Sequence, residues 1–518
     1  PGLDLDALQG ALNTEPTQSY AFNSSVESFL ARIQYDAFNK YLVTASLRYD
    51  GSSRFAEDKR WDYFPSLGLA WRISNESFLK NNSLISDAKL KFSYGQSGNT
   101  EIPAYKSIAQ AGISGYVFGG STLTTGSSIT QLANEDLTWE TTREIDYGLS
   151  LGLLNNRITM EADYYDKETS NLLLEVPLPS TSGYQTAFKN LGLVSNKGYE
   201  FALNANIVED RDLNWNMNFN ISFNENKVLD LGDADEFFVT AIGDNQTNND
   251  YVVRVGESLG SIYGLAYDGV YTYQDFVEFD GMSIEDANAK LYADAAAVGD
   301  GTEMWWTLNQ YTLKDGVPVN ALVTNGTYRP GMTKFKDING DGIINDDDRH
   351  IIGNTLPKHF GGMTQNFNYK NFDLSVQTSW SYGNDIYNKT LKKGAQTAVP
   401  WRNKFAIVDD RWSPTNPDGT FTAFSAGNSG DVGSAAYDLY LEDGSYFRIG
   451  NITLGYTFPK EIMKEIGVKH LRLYVSLDNV HIWTKYSGWD PDVSVGNNQL
   501  TPGLDVDSYP RSRTFRTG

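Results

Sequence analysis

The sequence predicts an all-β fold, in which antiparallel strands close into a transmembrane β-barrel with long extracellular loops. Three observations support this prediction. Many segments alternate apolar and polar residues with a period of two, which is typical of strands with one apolar face. The links between them are alternately short and long, as in outer-membrane barrels. No run of 18 apolar residues occurs, so the sequence contains no candidate transmembrane helix.

The period-two alternation defines the strands in chain order. In LVTASLRYD (42–50), the odd-numbered positions from Val43 to Tyr49 share one apolar face, and the even-numbered positions from Thr44 to Asp50 share a polar one. DLSVQTSW (373–380) and LRLYVSLD (471–478) show the same alternation. A barrel in lipid must close, because lipid cannot satisfy an open sheet edge. An odd number of strands therefore leads us to expect further strands before Pro1. The thirteen predicted strands are 27–38, 40–50, 62–73, 88–98, 140–153, 157–167, 190–207, 214–224, 361–369, 372–381, 445–458, 469–481 and 509–517.

The links between the strands favour a membrane barrel over a soluble β-sandwich, which has no reason to keep all its long links at one end. FNK, LNNR, EDRDLN and YKN are tight, whereas 99–139, 168–189, 225–360, 382–444 and 482–508 are long and rich in Gly, Asn, Asp and Ser. The link 225–360 is too long for a bare loop. Within it, SIEDANAKLYADAAA predicts a helix capped by Ser283, with Asp286 three residues later. We expect a small folded extracellular excursion here.

Composition excludes several classes of function. The 42 Lys and Arg against 65 Asp and Glu give a net charge of −23, so nucleic acid is not an expected partner. The absence of cysteine excludes disulfides and thiolate catalysis, and the four scattered histidines do not form a zinc motif. There is no Walker loop, GxSxG, or GxGxxG in a βαβ context. Carboxylate pairs are expected by chance among 65 acidic residues, so we predict no enzyme, no catalytic residue and no cofactor-binding residue.

Several segments resemble consecutive strands of SusC/RagA-type TonB-dependent outer-membrane transporters. They include FLARIQYDAFNKYLVTASLRYDGSSRF, FPSLGLAWRISNESFL, AKLKFSYGQSGN, LGLVSNKGYEFALN and SYFRIGNITLGYTFPK, and the resemblance extends in the family's order from about Glu27 to Phe515. It implies a 22-stranded barrel with an N-terminal plug, energised by TonB–ExbB–ExbD and capped by a SusD-like surface lipoprotein. On this resemblance, residues 1–518 are the barrel portion. The plug, the TonB-binding segment and the early strands are not in this chain, and SYPRSRTFRTG lacks the family's closing apolar and aromatic residues.

The function that the resemblance implies is TonB-dependent active import of an oligosaccharide or a peptide, as the barrel component of a SusCD-like complex. The expected location is the outer membrane of a Gram-negative bacterium, with outer-membrane lipid around the barrel. The alternatives are a passive surface-exposed binding or adhesion barrel and, far behind, a soluble secreted hydrolase. The sequence does not distinguish a glycan from a peptide ligand, identifies no ligand-contacting residue, and leaves open whether SusCD-like pairs form dimers.

The segment DINGDGIINDDD (337–348) has the oxygen-ligand spacing of an EF-hand loop, including the glycine at the sharp turn. Asp replaces the usual Glu at position 12, and the flanking residues do not form the helix pair of a calcium sensor. We predict a structural Ca²⁺ that pins part of the 225–360 excursion. The alternative is a solvated acidic turn held by Asx hydrogen bonds. The predicted ligands are Asp337, Asn339, Asp341, Ile343 through its carbonyl, Asn345 through a water, and Asp348.

The aromatic residues have two interpretations. MWWTLNQY places Met304, Trp305, Trp306 and Tyr311 in the longest link, and Trp401 lies in VPWRNKF. Such residues could stack on a sugar or grip a peptide, but packing is favoured because large aromatic side chains are usually buried. Aromatic residues of the strands are expected in the interfacial girdles of the barrel. Those strand residues are Tyr41, Tyr164, Tyr165 and Trp483.

Overall fold

The computed structural model describes residues 21–80, 82–118, 122–178, 180–184, 186–240, 250–297, 311–322, 328–396, 403–424, 435–495 and 499–518. Of the predicted positions, Met304, Trp305, Trp306 and Trp401 lie outside these residues.

The described residues form mainly β-strands. The strands are β1 (Val26–Ala37), β2 (Tyr41–Ser52), β3 (Trp61–Arg72), β4 (Ile85–Asn99), β5 (Gln110–Phe118), β6 (Thr122–Gln131), β7 (Glu140–Leu153), β8 (Ile158–Ser170), β9 (Leu173–Pro177), β10 (Thr186–Asn190), β11 (Leu193–Glu209), β12 (Leu213–Asp230), β13 (Glu236–Val239), β14 (Tyr251–Arg254), β15 (Ser261–Gly264), β16 (Tyr267–Val270), β17 (Val319–Asn320), β18 (Thr333–Phe335), β19 (Ile343–Ile344), β20 (His350–Asn354), β21 (His359–Tyr369), β22 (Phe372–Tyr382), β23 (Asp385–Asn388), β24 (Leu441–Asp443), β25 (Tyr446–Thr457), β26 (Arg472–Thr484), β27 (Leu504–Asp505) and β28 (Thr514–Thr517). The α-helices are α1 (Ile284–Ala297), α2 (Lys389–Ala395) and α3 (Lys460–Glu465). Short 3₁₀ helices occur at Glu57–Lys59, Ile73–Asn75, Ser180–Ser182, Tyr273–Asp275, Val277–Phe279, Asp346–Asp348, Ala406–Asp410 and Asp438–Tyr440.

Thirteen strands hydrogen-bond in one large sheet, in the order β1-β2-β3-β4-β7-β8-β11-β12-β21-β22-β25-β26-β28. The registers that the structure defines within this sheet are antiparallel, as in β2–β3 and β21–β22. These are the thirteen segments that the alternation predicts, and tight turns join the strands wherever a tight link is predicted. The predicted all-β fold is therefore confirmed.

The largest differences from the predicted strand boundaries occur at the end of β12 and at the start of the last strand. β12 continues six residues past the predicted end at 224 and ends at Asp230, through four consecutive polar residues, 224–227, in which the apolar–polar alternation is lost. The last strand begins at Thr514 rather than 509. Pro510 has no N–H to donate to a ladder, and Arg511 is engaged instead with Asp492, at 2.5 Å.

The chain divides into two compact units. The N-terminal unit comprises 1–156, 161–197 and 229–233, and the C-terminal unit comprises 157–160, 198–228 and 234–518. In the N-terminal unit, the hairpins β5–β6 and β9–β10 fold within the long links. A buried cluster of Phe55, Phe64, Ile102, Leu137 and Trp139 forms its core. None of the helices among the described residues is long and apolar enough to cross a membrane.

In the C-terminal unit, three long links fold together into what we call the loop body, made of the described residues of 250–355, 384–444 and 499–508. Strand β23 pairs with both β24 and β27, and so joins two of these links. Leu265 bridges to Tyr437 of another link. The segment 225–360 is therefore folded, but it does not fold alone, because the link 382–444 supplies Trp412, Phe421 and Tyr437 to its two hydrophobic cores. Its extracellular position stays a prediction.

The helix α1 forms where the sequence predicts it. Ser283 Oγ accepts the N–H of Asp286 at 3.1 Å and donates to the carboxylate of Asp286 at 2.7 Å. The first bond satisfies a backbone N–H that a helix start otherwise leaves unpaired. Ala287, Leu291 and Ala295 lie four residues apart on the buried side of the helix, so one stripe of α1 packs into the loop body.

Candidate functional site

The strands of the C-terminal unit present two chemically different faces. On β12, Asn214, Asn216, Asn218 and Asn220 alternate with apolar residues, and each is paired with a polar residue or a glycine of β21. The polar pairing continues across β22, β25 and β26. We call this surface the asparagine face. It consists of Asn214, Asn216, Asn218, Asn220, Thr364, Asn366, Asn368, Ser375, Gln377, Asn451, Thr453 and Ser476.

Side-chain amides connect the rungs of the asparagine face. Asn218 Nδ2 donates to Asn216 Oδ1 at 3.1 Å, and Asn216 Nδ2 donates to Asn206 Oδ1 at 2.9 Å. A cavity of about 360 Å³ lies over this wall, and its lining combines amide and hydroxyl residues with the apolar Ala202, Phe219 and Met363 and includes no charged residue. Because an amide donates and accepts at the same time, this surface can hydrogen-bond hydroxyl or amide groups of a ligand without a charge.

Charged side chains border the asparagine face as ion pairs. Arg472 Nε donates to Asp373 at 3.0 Å, and a second guanidinium nitrogen reaches the other carboxylate oxygen. Arg448 lies 2.5 Å from Asp490, and both side chains are largely buried. Asp478 accepts a hydrogen bond from Asn451 Nδ2 at 2.7 Å and is itself paired with Arg516. The charges that border the wall are thus neutralised in pairs, and its centre is polar but uncharged.

The opposite face of the same strands is apolar and exposed. Phe372, Leu454, Leu473 and Trp483 are each about half exposed, at 51, 49, 52 and 51%. A continuous apolar surface of this kind is unfavourable in water, whereas lipid-facing strands of a membrane barrel require it. The two faces together have the properties of a wall with one wet side and one lipid side.

The N-terminal unit has the same division into faces, but its polar face carries ions. Ser46 and Ser66 share a hydrogen bond of 2.6 Å, while Leu47, on the other side of β2, is exposed. Lys91 Nζ lies 3.1 Å from Asp163 and 3.8 Å from Glu161. The predicted assignment of the LVTASLRYD residues to two faces is confirmed.

The loop body buries several charged groups. Arg329 is 1% exposed, and its Nε and Nη1 have no hydrogen-bond partner in the described part of the chain. Burial lowers the pKa of Arg329 to about 10. Lys389 lies 3.7 Å from Asp250, and both side chains are almost fully buried. Removing ions from water costs free energy that only good pairing offsets, so these positions strongly influence loop-body stability.

The predicted calcium loop forms a compact turn. Asp337 accepts the N–H groups of Gly340 and Gly342 through its two oxygens, at 2.7 and 2.8 Å. Asp348 is fully buried and accepts the N–H groups of Ile338 and Asn345, both at 2.8 Å. Loop segment β19 pairs in parallel with β17.

The donor chemistry of this loop suits a hard cation, because its side chains supply carboxylate and amide oxygens. In the described part of the chain, however, no three His, Cys, Asp or Glu side chains are grouped as a metal site. In this loop, Asn339 donates to Asp341 at 3.2 Å, and Asp341 accepts the N–H of Ile343 at 2.8 Å. Calcium binding therefore stays a prediction.

The aromatic residues singled out in the sequence lie in different environments in the structure. Tyr311 is buried in the loop body against Phe279, with ring centroids 4.7 Å apart, which agrees with the packing interpretation. Tyr41 and Trp483 are exposed on the apolar faces of their strands. The girdle prediction is wrong for Tyr165, which is buried beneath Lys167. Adjacent strand residues point to opposite faces, so Tyr164 and Tyr165 cannot both face lipid.

Sequence reasoning missed two features of the C-terminal unit. One is the asparagine face, although Asn at every second position of NWNMNFN is visible in the sequence. The other is α3, where Met463 is buried and the surrounding residues are exposed. A single buried position gives too weak a helical period to detect.

Comparisons with known proteins agree with this architecture. Residues 4–313 match the family model described as TonB dependent receptor-like, beta-barrel. The chain is 33% identical to TonB-dependent receptor P3 of Formosa agariphila, over 99% of the chain and 47% of that protein. It is 30% identical to TonB-dependent receptor SusC of Bacteroides thetaiotaomicron, over 96% of the chain and 44% of that protein. The chain thus spans about half the length of these relatives.

The solved structure of the RagAB peptide transporter has a similar fold. It matches with a TM-score of 0.73 at 22% identity, covering 95% of this chain and 47% of that one. At this level of identity the likeness concerns the fold alone.

Proposed function

Because the chain belongs to the TonB-dependent receptor-like β-barrel family, we propose that it is the barrel component of an energised importer. Proteins of this family, including SusC, lie in the outer membrane of Gram-negative bacteria. The proposed activity is TonB-dependent import of an oligosaccharide or a peptide. The proposed partners are a SusD-like surface lipoprotein and TonB–ExbB–ExbD.

One structural observation carries this proposal. In the C-terminal unit, a continuous uncharged polar face lies on the reverse of a continuous exposed apolar face. A polar ligand that crosses a bilayer needs a wet path in which it can exchange hydrogen bonds with water for others of similar strength. Amides, which both donate and accept hydrogen bonds, allow this exchange without the tight binding that a fixed charge would give.

We propose a separate role for each of three parts of the chain. The apolar face holds the wall in lipid, the asparagine face contacts the passing ligand, and the loop body contributes to capture before entry. No step makes or breaks a covalent bond in the ligand, which agrees with the transporters and receptors of this family.

The test uses a strain that lacks the gene, complemented with the full-length protein. We expect complementation to restore uptake of one panel of labelled ligands, either neutral oligosaccharides or peptides, and an uncoupler or loss of TonB to abolish it. Binding to the cell surface should survive the uncoupler. Surface binding without any uptake would instead establish the passive adhesion barrel, and uptake that persists without TonB would exclude energised transport.

We further propose that the acidic loop 337–348 binds a structural Ca²⁺ through the predicted oxygen ligands. The donor set supports the proposal, as do the glycines at positive φ, Gly340 at 75° and Gly342 at 84°. We expect Ca²⁺ to slow proteolysis of this loop in the purified protein and a chelator to reverse the effect. Asp341→Ala should abolish the response, while Asp347→Ala, an exposed position in the same loop, should retain it. Equal cleavage with Ca²⁺ and with chelator would contradict the proposal.

A further inference from the structure

The link between β25 and β26 differs from the tight turns at the same end of the sheet. It contains α3, anchored by the buried Met463, and the described residues around that anchor are exposed. Among them are the aliphatic side chains of Ile462, Ile466 and Val468. Tight turns face the periplasm in outer-membrane barrels, so this helix lies at the rim where the apolar face meets water.

A cavity of about 380 Å³ lies between this helix and the neighbouring turn from β21 to β22. Lys370 and Asn371 line it from the turn, and Lys460 and Glu461 line it from the start of α3. Its wall also includes Phe372, the first residue of β22. Two lysines therefore reach one cavity from separate links.

The charge of this cavity is unusual for so acidic a chain. Lys370 and Lys460 are both exposed, and neither forms an ion pair within the part of the chain that the structure describes. Lys370 lies over the ring of Tyr369, 5.4 Å from its centroid. The carboxylate of Asp373, which also lines the cavity, is held by Arg472. Two cations thus face one unpaired carboxylate, that of Glu461, and an excess positive charge remains for an anion.

Aromatic side chains connect this cavity to the apolar face. The rings of Phe372 and Tyr456 lie 4.7 Å apart, and those of Tyr456 and Phe458 lie 5.0 Å apart. Phe458 lines the cavity, while Phe372 and Leu473 are half exposed on the apolar face. A molecule with a charged head in the cavity can therefore place apolar chains on the adjoining strands. Tyrosine and lysine at a membrane boundary suit this geometry, being apolar in body and polar at the tip.

We propose that this rim cavity binds the headgroup of an anionic membrane phospholipid, with the phosphate between Lys370 and Lys460 and the acyl chains along Phe372 and Leu473. Cationic side chains close to a membrane surface attract anionic lipid, and the apolar contact distinguishes a lipid from free phosphate. The inference goes beyond the proposed function, since it requires the chain to lie in a membrane but not to import a ligand.

The experiment is native mass spectrometry of the full-length protein extracted in detergent and titrated with phosphatidylglycerol. Lys370→Gln combined with Lys460→Gln should weaken binding at least tenfold. The matched control is Lys80→Gln combined with Lys227→Gln, which removes the same two charges from exposed positions outside the cavity lining. We expect this control to bind as the unaltered protein does, and zwitterionic phosphatidylcholine to bind at least tenfold more weakly.

Two results would overturn the proposal. One is equal phosphatidylglycerol affinity in the two double variants, which would place the lipid elsewhere. The other is displacement of the bound lipid by millimolar inorganic phosphate, which would assign the cavity to a free anion. Folding of each variant is checked independently by its circular dichroism, so that a loss of binding is attributed to the cavity itself.

Discussion

Replacing Trp412 by alanine is the sharpest test of the loop body as one cooperative unit. Trp412 is fully buried and packs edge-on against Tyr273, with ring centroids 5.4 Å apart. A β-carbon at Gly331 would lie only 2.7 Å from its indole ring. Trp412 thus comes from one link, and Tyr273 and Gly331 come from another, so removing the indole should loosen both.

The magnitude follows from the buried area. An indole buries about 150–250 Å², which at about 25 cal/mol per Å² corresponds to about 4–6 kcal/mol. Large-to-small substitutions in cores cost about 3–5 kcal/mol for Trp→Ala. Since about 1.4 kcal/mol is a factor of ten, the opened loop body should become at least about a hundred times more populated.

The assay is limited proteolysis of the detergent-extracted protein, under conditions in which cleavage follows the opening equilibrium. We expect Trp412→Ala to accelerate cleavage within both 250–297 and 403–424. Trp489→Ala is the matched control, because Trp489 is 72% exposed and its loss should change cleavage little. If Trp412→Ala accelerated cleavage in only one link, or no more than Trp489→Ala, the loop body would not be a single unit.

Three further substitutions test particular features. Ser283→Ala removes the cap of α1 and should destabilise the loop body by about 1 kcal/mol, seen as roughly fivefold faster cleavage; unchanged cleavage would contradict the cap. Arg329→Met removes a buried, incompletely paired cation and should slow that cleavage; faster cleavage would show that the guanidinium stabilises the fold. Leu454→Arg places a charge on the apolar face, which destabilises a barrel in lipid by up to about 2–4 kcal/mol. It should therefore reduce the amount of folded barrel recovered from membranes. Thr453→Arg, on the polar face, should leave that amount unchanged. If Thr453→Arg reduced it and Leu454→Arg did not, the assignment of the two faces would be wrong.

The sheet could be predicted from sequence because its signals are local. A period of two can be recognised from a strand's own residues. Tight links such as LNNR likewise predict a turn from their own residues, and Leu154, Asn155 and Asn156 are all at positive φ. The structure accordingly has every predicted strand of the large sheet. Errors occur at the ends, where Pro510 and the ion pairs of Arg511 override the alternation.

The loop body could not be predicted in the same way because its core is built from distant segments. Trp412 and Tyr273 are separated by 139 positions in the sequence, and no local period connects them. A long link with one amphipathic helix was sufficient to predict a folded excursion, but the partners of that helix lie in another link. Burial of Tyr311 was favoured correctly, since a large aromatic side chain is usually buried whichever segment covers it.

The asparagine face shows how a local pattern becomes a site only through register. Asn218 is paired with Thr364 and lies one position from Phe219, which is paired with Met363. Because side chains alternate with a period of two, a one-residue slip would turn the asparagines toward the apolar side. The two-residue turn from Tyr369 to Phe372 excludes that slip between β21 and β22. This tight turn therefore fixes the register of β21 on β22, and the antiparallel pairs β12–β21, β22–β25 and β25–β26 extend the polar row to five strands on one side of the wall. The proposed path for a ligand depends on that alignment.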